Sequence, residues 1–176
     1  RPGALATYVA VLSLGCRKWP DDIDDRTGRV VESRSKAIHI CDRSLNGMLG
    51  SVAISGAGTQ GLLALRVAIR AGAQQTIVTD MVPSRLEMAR FHGATHPVNV
   101  GSIDAVEAVM DFTDGAGVDL VVEAVGHVAT LSQTVDMLKV GGEAVLLGLG
   151  AASQVPFNGL AMVNKELTVR GTYAYN

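Results

Sequence analysis

The sequence predicts an α/β protein: a doubly wound sheet of six parallel strands in the order 3-2-1-4-5-6, with helices on both faces. Three observations carry this. From Ser51 onward, short apolar runs that end in glycine or acid alternate with stretches of helical period. Strands separated by helices pair in parallel through right-handed crossovers. The first run, Ser51 to Ser55, passes through Gly56-Ala57-Gly58-Thr59-Gln60-Gly61 into a helix. The second, Gln75 to Asp80, closes on an acid at about the 20-residue spacing that places a carboxylate beside a bound ribose.

Composition narrows the class. The chain has 176 residues, 48% of them apolar, which fits a core-rich domain with something attached. A net charge of -2 points to neither a nucleic-acid nor a membrane partner. Apolar runs stop short of the roughly 18 residues a membrane span needs. No basic stretch followed by an apolar one opens the chain, so a cytoplasmic protein is expected. Cys16 and Cys41 lack partners at ligand spacing, so they read as reduced thiols, with no metal site made from this chain alone.

In chain order, Leu5 to Leu12 reads as a strand at the edge of something larger, and Cys16 to Pro20 as a second one stopped by proline. An acidic loop leads to a helix over about Asp24 to Ser44, with Val30, Val31, Ala37, Ile38 and Cys41 on its apolar face and Arg34 and Lys36 on the wet one. Asn46-Gly47 and Gly50 open the second domain. The first strand and glycine turn are followed by a helix to Arg70. After the second strand, Pro83 starts a helix that runs to His92 and stops at Gly93. Pro97 to Val100 is the third strand, Ile103 to Phe112 an amphipathic helix, and Val118 to Glu123 the fourth strand. A helix over Ala129 to Leu138, a fifth strand over Glu143 to Leu147, a brief helix over Ala161 to Asn164 and a sixth strand over Leu167 to Tyr175 complete the pattern.

The glycine turn has a chemical reading. Gly56 permits the tight exit from the strand, Gly58 clears the approach of a pyrophosphate, and Gly61 lets helix and strand pack closely. Amides at the helix start then face the phosphates, where the helix dipole favours negative charge. This is the Rossmann fingerprint. Ligand is expected at the strand ends that carry Gly56 to Gly61, Asp80, Ala124 to Gly126 and Gly148 to Gly150.

These residues, with Ser84-Arg85-Leu86, Gly93-Ala94, Val118-Asp119, Glu123-Ala124-Val125-Gly126 and Gly141-Gly142, resemble the zinc-dependent medium-chain alcohol and polyol dehydrogenases, nearest their sorbitol and threonine dehydrogenase branch. The resemblance implies residues 1–46 as the end of a catalytic domain with its connecting helix, and 47–176 as the NAD-binding domain. It implies NAD as cofactor, with Asp80 on the adenosine ribose and Arg85 over the adenine. A solvated surface charge is the other reading of Arg85. Gly56, Gly58, Thr59, Gln60 and Gly61 would hold the pyrophosphate, and Val125, Gly126, Leu147, Gly148 and Leu149 would form a shelf under ribose and nicotinamide. The implied reaction is hydride transfer between a small secondary alcohol or polyol and nicotinamide, with zinc as Lewis acid.

Glu32 falls where the polyol branch keeps a glutamate near the catalytic zinc, and Tyr175 matches a segment facing substrate. Each has a plain alternative: a helix-surface carboxylate for Glu32, packing at a strand end for Tyr175. Ser33, Arg34, Lys36, Thr7 and Ala174 depart from the family's pattern. The zinc ligands are expected upstream of Arg1, so the chain alone is expected to be inactive. Gln154-Val155-Pro156-Phe157 is expected to be an edge strand that pairs two copies into a homodimer. Two other classes share parts of the signal. A methyltransferase using S-adenosylmethionine also pairs a glycine turn with an acid, though Gly61 and the strand count speak against it. The other is a non-catalytic nucleotide-binding module.

Overall fold

Six strands, each hydrogen-bonded in parallel to its neighbours, form one sheet in the order β3-β2-β1-β4-β5-β6. They are β1 (Ser51–Ser55), β2 (Gln75–Asp80), β3 (His96–Asn99), β4 (Val118–Glu123), β5 (Leu138–Leu146) and β6 (Thr168–Gly171). The computed structural model describes residues 7–43, 50–150 and 153–173. The chain forms two compact units, Arg1–Val31 and Glu32–Asn176, and the sheet lies in the second.

Alternation along each strand sends neighbouring residues to opposite faces, and both faces are covered. Val52, Ile54, Val78, Leu120, Val122 and Val145 share one core with Ala64, Leu65 and Ala68 of α3 (Thr59–Arg70) and Ile40 of α2 (Val31–Arg43). Ala53, Ile77, Val121 and Ala144 face the other core, filled by Ala105, Ala108 and Val109 of α5 (Ala105–Phe112) together with Met137 and Leu138. The central strands are apolar on both sides for this reason. Helix starts are satisfied locally: Asp104 accepts from the amides of Val106 and Glu107 at 2.8 and 3.1 Å. Pro83 occupies the first turn of α4 (Pro83–Phe91), where a missing N–H costs nothing.

Two charged clusters tie strands together. At the start of the sheet, Asp119 accepts from the Ser51 amide at 2.8 Å and the Ser51 hydroxyl at 2.9 Å, and pairs with Lys139. Burial pushes the Asp119 carboxyl upward, but the hydrogen bonds from Lys139 and Ser51 and the Lys139 charge outweigh it, leaving it below the usual carboxylate range. Across β5 and β6, Glu143 is buried and pairs with Arg170 at 3.1 Å.

The first unit departs from expectation. Residues 7–12 and Cys16 to Pro20 join no ladder; a 3-10 turn, Ser13–Gly15, lies between them. An alternating pattern becomes a strand only where a neighbour takes up its amides and carbonyls. The expected long helix is two: α1 (Asp25–Gly28), capped by Asp24 accepting from the Thr27 amide at 2.6 Å, and α2. Gly28 sits so close to the Trp19 ring that a Cβ there would be displaced. Among the described residues of α2, Ala37 is buried as expected and Ile40 beside it, whereas Val31 and Ile38, and Val30 just before the helix, are exposed.

The helix expected over Ala129 to Leu138 stops early, as α6 (Val128–Ser132), and turns lead into β5 at Leu138. That strand runs through Gly141-Gly142 with a register shift against β4, which Gly141 accommodates at φ +70. Gln154 to Phe157 lie in no strand, and β6 forms one edge of the sheet, with β3 at the other. α7 (Gly159–Asn164) is capped by Asn158. Among the described residues, no helix is long and apolar enough to cross a membrane.

Candidate dinucleotide site

A cavity of about 730 Å³ opens over the carboxyl ends of β1, β2 and β4. The three glycines of the turn have distinct environments. Gly56 leaves β1 at φ +98, its amide donating to the Thr79 carbonyl at 2.8 Å. At Gly61 a Cβ would overlap the Gly56 carbonyl oxygen, so this residue sets how closely α3 approaches β1. At Gly58, on the cavity wall, a Cβ would meet nothing within 4 Å. That open space beside bare backbone, at the start of a 12-residue helix whose first amides have no acceptor within the helix, fits a phosphate. Thr59 and Gln60 form the helix's first turn, and the Gln60 Oε1 atom is buried with no partner.

Asp80 stands at the end of β2 with its side chain 8% exposed. Its Oδ2 atom accepts from the Ala57 amide and its Oδ1 from the Val82 amide, each at 2.9 Å. Two fixed amides orient the carboxylate and leave lone pairs for two vicinal hydroxyls. The Arg85 guanidinium lies 3.7 Å from Oδ2, mostly in solvent, and also lines the cavity.

The far side of the site is the pair of loops after β4 and β5. Gly126 takes φ +82, and a Cβ on it would lie 2.7 Å from the Leu149 carbonyl carbon. On Gly148 a Cβ would overlap the Gly126 amide nitrogen, and on Gly150 the Gly126 carbonyl oxygen. Glu123 anchors both loops. Its carbonyl accepts from the amides of Leu147 and Gly148 at 2.8 and 2.9 Å. Its Oε1 atom accepts from Val125, Gly126 and the Thr130 hydroxyl at 3.0, 2.8 and 2.7 Å.

Of the residues singled out in the sequence, Gly56, Gly58, Asp80, Arg85 and Val125 line the cavity together. Thr59, Gln60 and Gly61 build the turn behind it, while Gly126, Leu147, Gly148 and Leu149 lie outside its lining. Leu147 packs on the core and Leu149 is exposed. Glu32 is an exposed residue of α2 whose carboxylate pairs with Lys36 at 3.2 Å. Tyr175 lies outside the described residues. The cavity also takes Met81, Ile103, Asp104, His127, Thr130 and Gln133, which sequence reasoning did not single out. Most follow strand ends, where no periodic signal marks them. Among the described residues, no group of three or more His, Cys, Asp and Glu could hold a metal, so the residues present do not make a zinc site.

A doubly wound sheet with this turn, this acid and an open cavity at the switch point between β1 and β4 has the architecture of a dinucleotide-binding Rossmann domain. The chain belongs to the zinc-binding dehydrogenase family, whose model matches residues 61–176. It is 31% identical over 173 residues to the sorbitol dehydrogenase of Bacillus subtilis, covering 98% of this chain and 49% of that protein. The solved structure of an alcohol dehydrogenase from Thermus sp. ATN1 superimposes with a TM-score of 0.84 at 34% identity, covering 90% of this chain and 46% of the other. A dehydrogenase structure from Sinorhizobium meliloti 1021, bound to NADP, gives 0.83 at 30% identity, covering 89% and 46%. The chain thus spans about half the length of the curated relatives it matches.

Proposed function

We propose that this chain is the NAD-binding portion of an alcohol or polyol dehydrogenase. Its part is to bind the dinucleotide across the glycine turn and present nicotinamide for hydride exchange with a secondary alcohol. The observation that carries this is the Asp80 carboxylate, fixed by the amides of Ala57 and Val82 on the wall of the cavity that Gly58 leaves open. Bound there, NAD would supply the hydride acceptor. The chain's own residues accept the adenosine ribose hydroxyls at Asp80, offer main-chain amides to the pyrophosphate at the start of α3, and place a loop under the far ribose at Val125 and Gly126. A carboxylate at this point repels a 2'-phosphate, which supports NAD over NADP.

Calorimetric titration of the chain with NAD, NADP and S-adenosylmethionine tests the reading. NAD is expected to bind more tightly than NADP, and S-adenosylmethionine not at all. Tighter NADP binding overturns the cofactor preference, and S-adenosylmethionine binding without NAD binding overturns the dinucleotide-binding reading. Oxidation of an alcohol by the chain alone is not expected, since among the described residues no group of His, Cys, Asp and Glu could hold zinc. Self-association into a homodimer through Gln154 to Phe157 belongs to the same reading. Sedimentation at high protein concentration checks it, and a monomer there refutes it.

A further inference from the structure

Glu123 is the one acid in β4 apart from Asp119, and it is fully buried at the end of a strand otherwise filled by Val118, Leu120, Val121 and Val122. A carboxylate in such surroundings is costly unless donors satisfy it. Three do, all at Oε1, and two of them are the amides of Val125 and Gly126, the loop beside the cavity. The other oxygen, Oε2, is buried without a partner and lies under Gly148, where a Cβ would come to 2.5 Å from it. Since the same residue's carbonyl holds Leu147 and Gly148, one residue fixes the loops after β4 and β5.

Position across the sheet gives this anchor a specific target. Asp80 ends β2, Gly58 follows β1, and Glu123 ends β4, in the spatial order β2-β1-β4. Two strand spacings separate the ends of β2 and β4, about 10 Å. A dinucleotide with its adenosine ribose at Asp80 and its pyrophosphate at Gly58 lays its other half over β4. We infer that Glu123 is a positioning residue that, through the Val125 and Gly126 amides, shapes the loop gripping the nicotinamide half of the cofactor and leaves the adenosine half unaffected. The inference rests on the NAD-binding function proposed above and assigns a role within that site to a side chain that lines no part of the cavity.

The experiment compares NADH with ADP, which lacks the nicotinamide and its ribose, by calorimetry on the wild-type chain and on Glu123→Ala and Glu123→Gln. Glu123→Ala is expected to weaken NADH roughly tenfold, as for a buried amide pair left without its acceptor, while ADP binding stays within about twofold. Glu123→Gln keeps an acceptor oxygen and is expected to restore the wild-type ratio of the two affinities. A purely structural role would weaken both ligands alike in Glu123→Ala, and that result overturns the inference. Equal affinity of the wild-type chain for NADH and ADP overturns it as well, because the loop then grips nothing. Binding of neither ligand by the wild-type chain removes the proposed function itself. Hydrogen exchange on the wild-type chain needs no variant to fold. The Val125 and Gly126 amides are expected to slow with NADH and not with ADP; slowing by both alike overturns the inference.

Discussion

The carboxylate of Asp80 accepts a hydrogen bond of 2.9 Å from the amide of Ala57, 23 residues earlier in the chain. The acid at the end of β2 is therefore also a strut of the glycine turn that follows β1. In the function proposed above, the ribose and phosphate ends of the site share one side chain, so a change at Asp80 is expected to reach both.

Asp80→Ser is expected to weaken NAD by roughly tenfold or more, the size of a lost charged hydrogen bond. It also frees Arg85 from a carboxylate 3.7 Å away and removes the charge that repels a 2'-phosphate. NADP affinity is expected to rise in the same variant. Parallel calorimetric titrations with the two cofactors check the reversal; parallel losses of both would refute it.

Gly58 and Gly61 are expected to separate binding from folding. Gly58→Ala adds a methyl where nothing lies within 4 Å, so stability should change by less than about 1 kcal/mol while NADH affinity falls. Gly61→Ala drives its methyl into the Gly56 carbonyl, at a cost of roughly 3 kcal/mol in stability. Thermal melts and NADH fluorescence titrations of the two variants, side by side, check the contrast.

The cluster at the foot of the sheet has a pH signature. The folded-state pKa of Asp119 is depressed, so its contribution is present above the unfolded value near pH 4 and is lost as pH falls through the folded value. Asp119→Asn is expected to lower Tm at pH 7, and its deficit against wild type should shrink as pH drops below about 4. Melting curves across that range decide it; a deficit independent of pH would show that charge is not involved.

Arg170 and Glu143 should be asymmetric. Arg170→Met leaves a carboxylate that is 1% exposed without its 3.1 Å ion pair, and about 2 kcal/mol of destabilisation is expected. Adding Glu143→Leu is expected to recover part of the loss, because no buried charge then remains. Urea unfolding of the single and double variants measures both steps.

How far the sequence could be read depended on where each element finds its partners. The core from β1 to β4 was legible because glycine spacing, a terminal acid and apolar runs all report local geometry. Asp80 and Gly58 were singled out for the same reason, and both line the cavity. Residues 7–12 misled because their alternation says nothing about whether a neighbouring strand is present. The start of β5 was hidden by Gly141-Gly142, which looks like a loop and is in fact a register shift inside a strand. Met81, Ile103 and Gln133 reach the cavity through the fold, and no spacing announces them. Glu123 was visible as a motif residue, but its bonds to two loops emerge only when β4 and β5 are paired.

The meshing of Gly126 with Gly148 and Gly150 has a consequence for how this half of the sheet can vary. Each loop is the mould of the other, with no space for even one methyl group between them. An insertion in either would have to part β4 from β5, so length changes are tolerable only farther out, toward the exposed turn around Asp114 and Gly115. Variation in this half of the sheet must therefore arise away from this junction, which keeps one shape while the rest of the site changes around it.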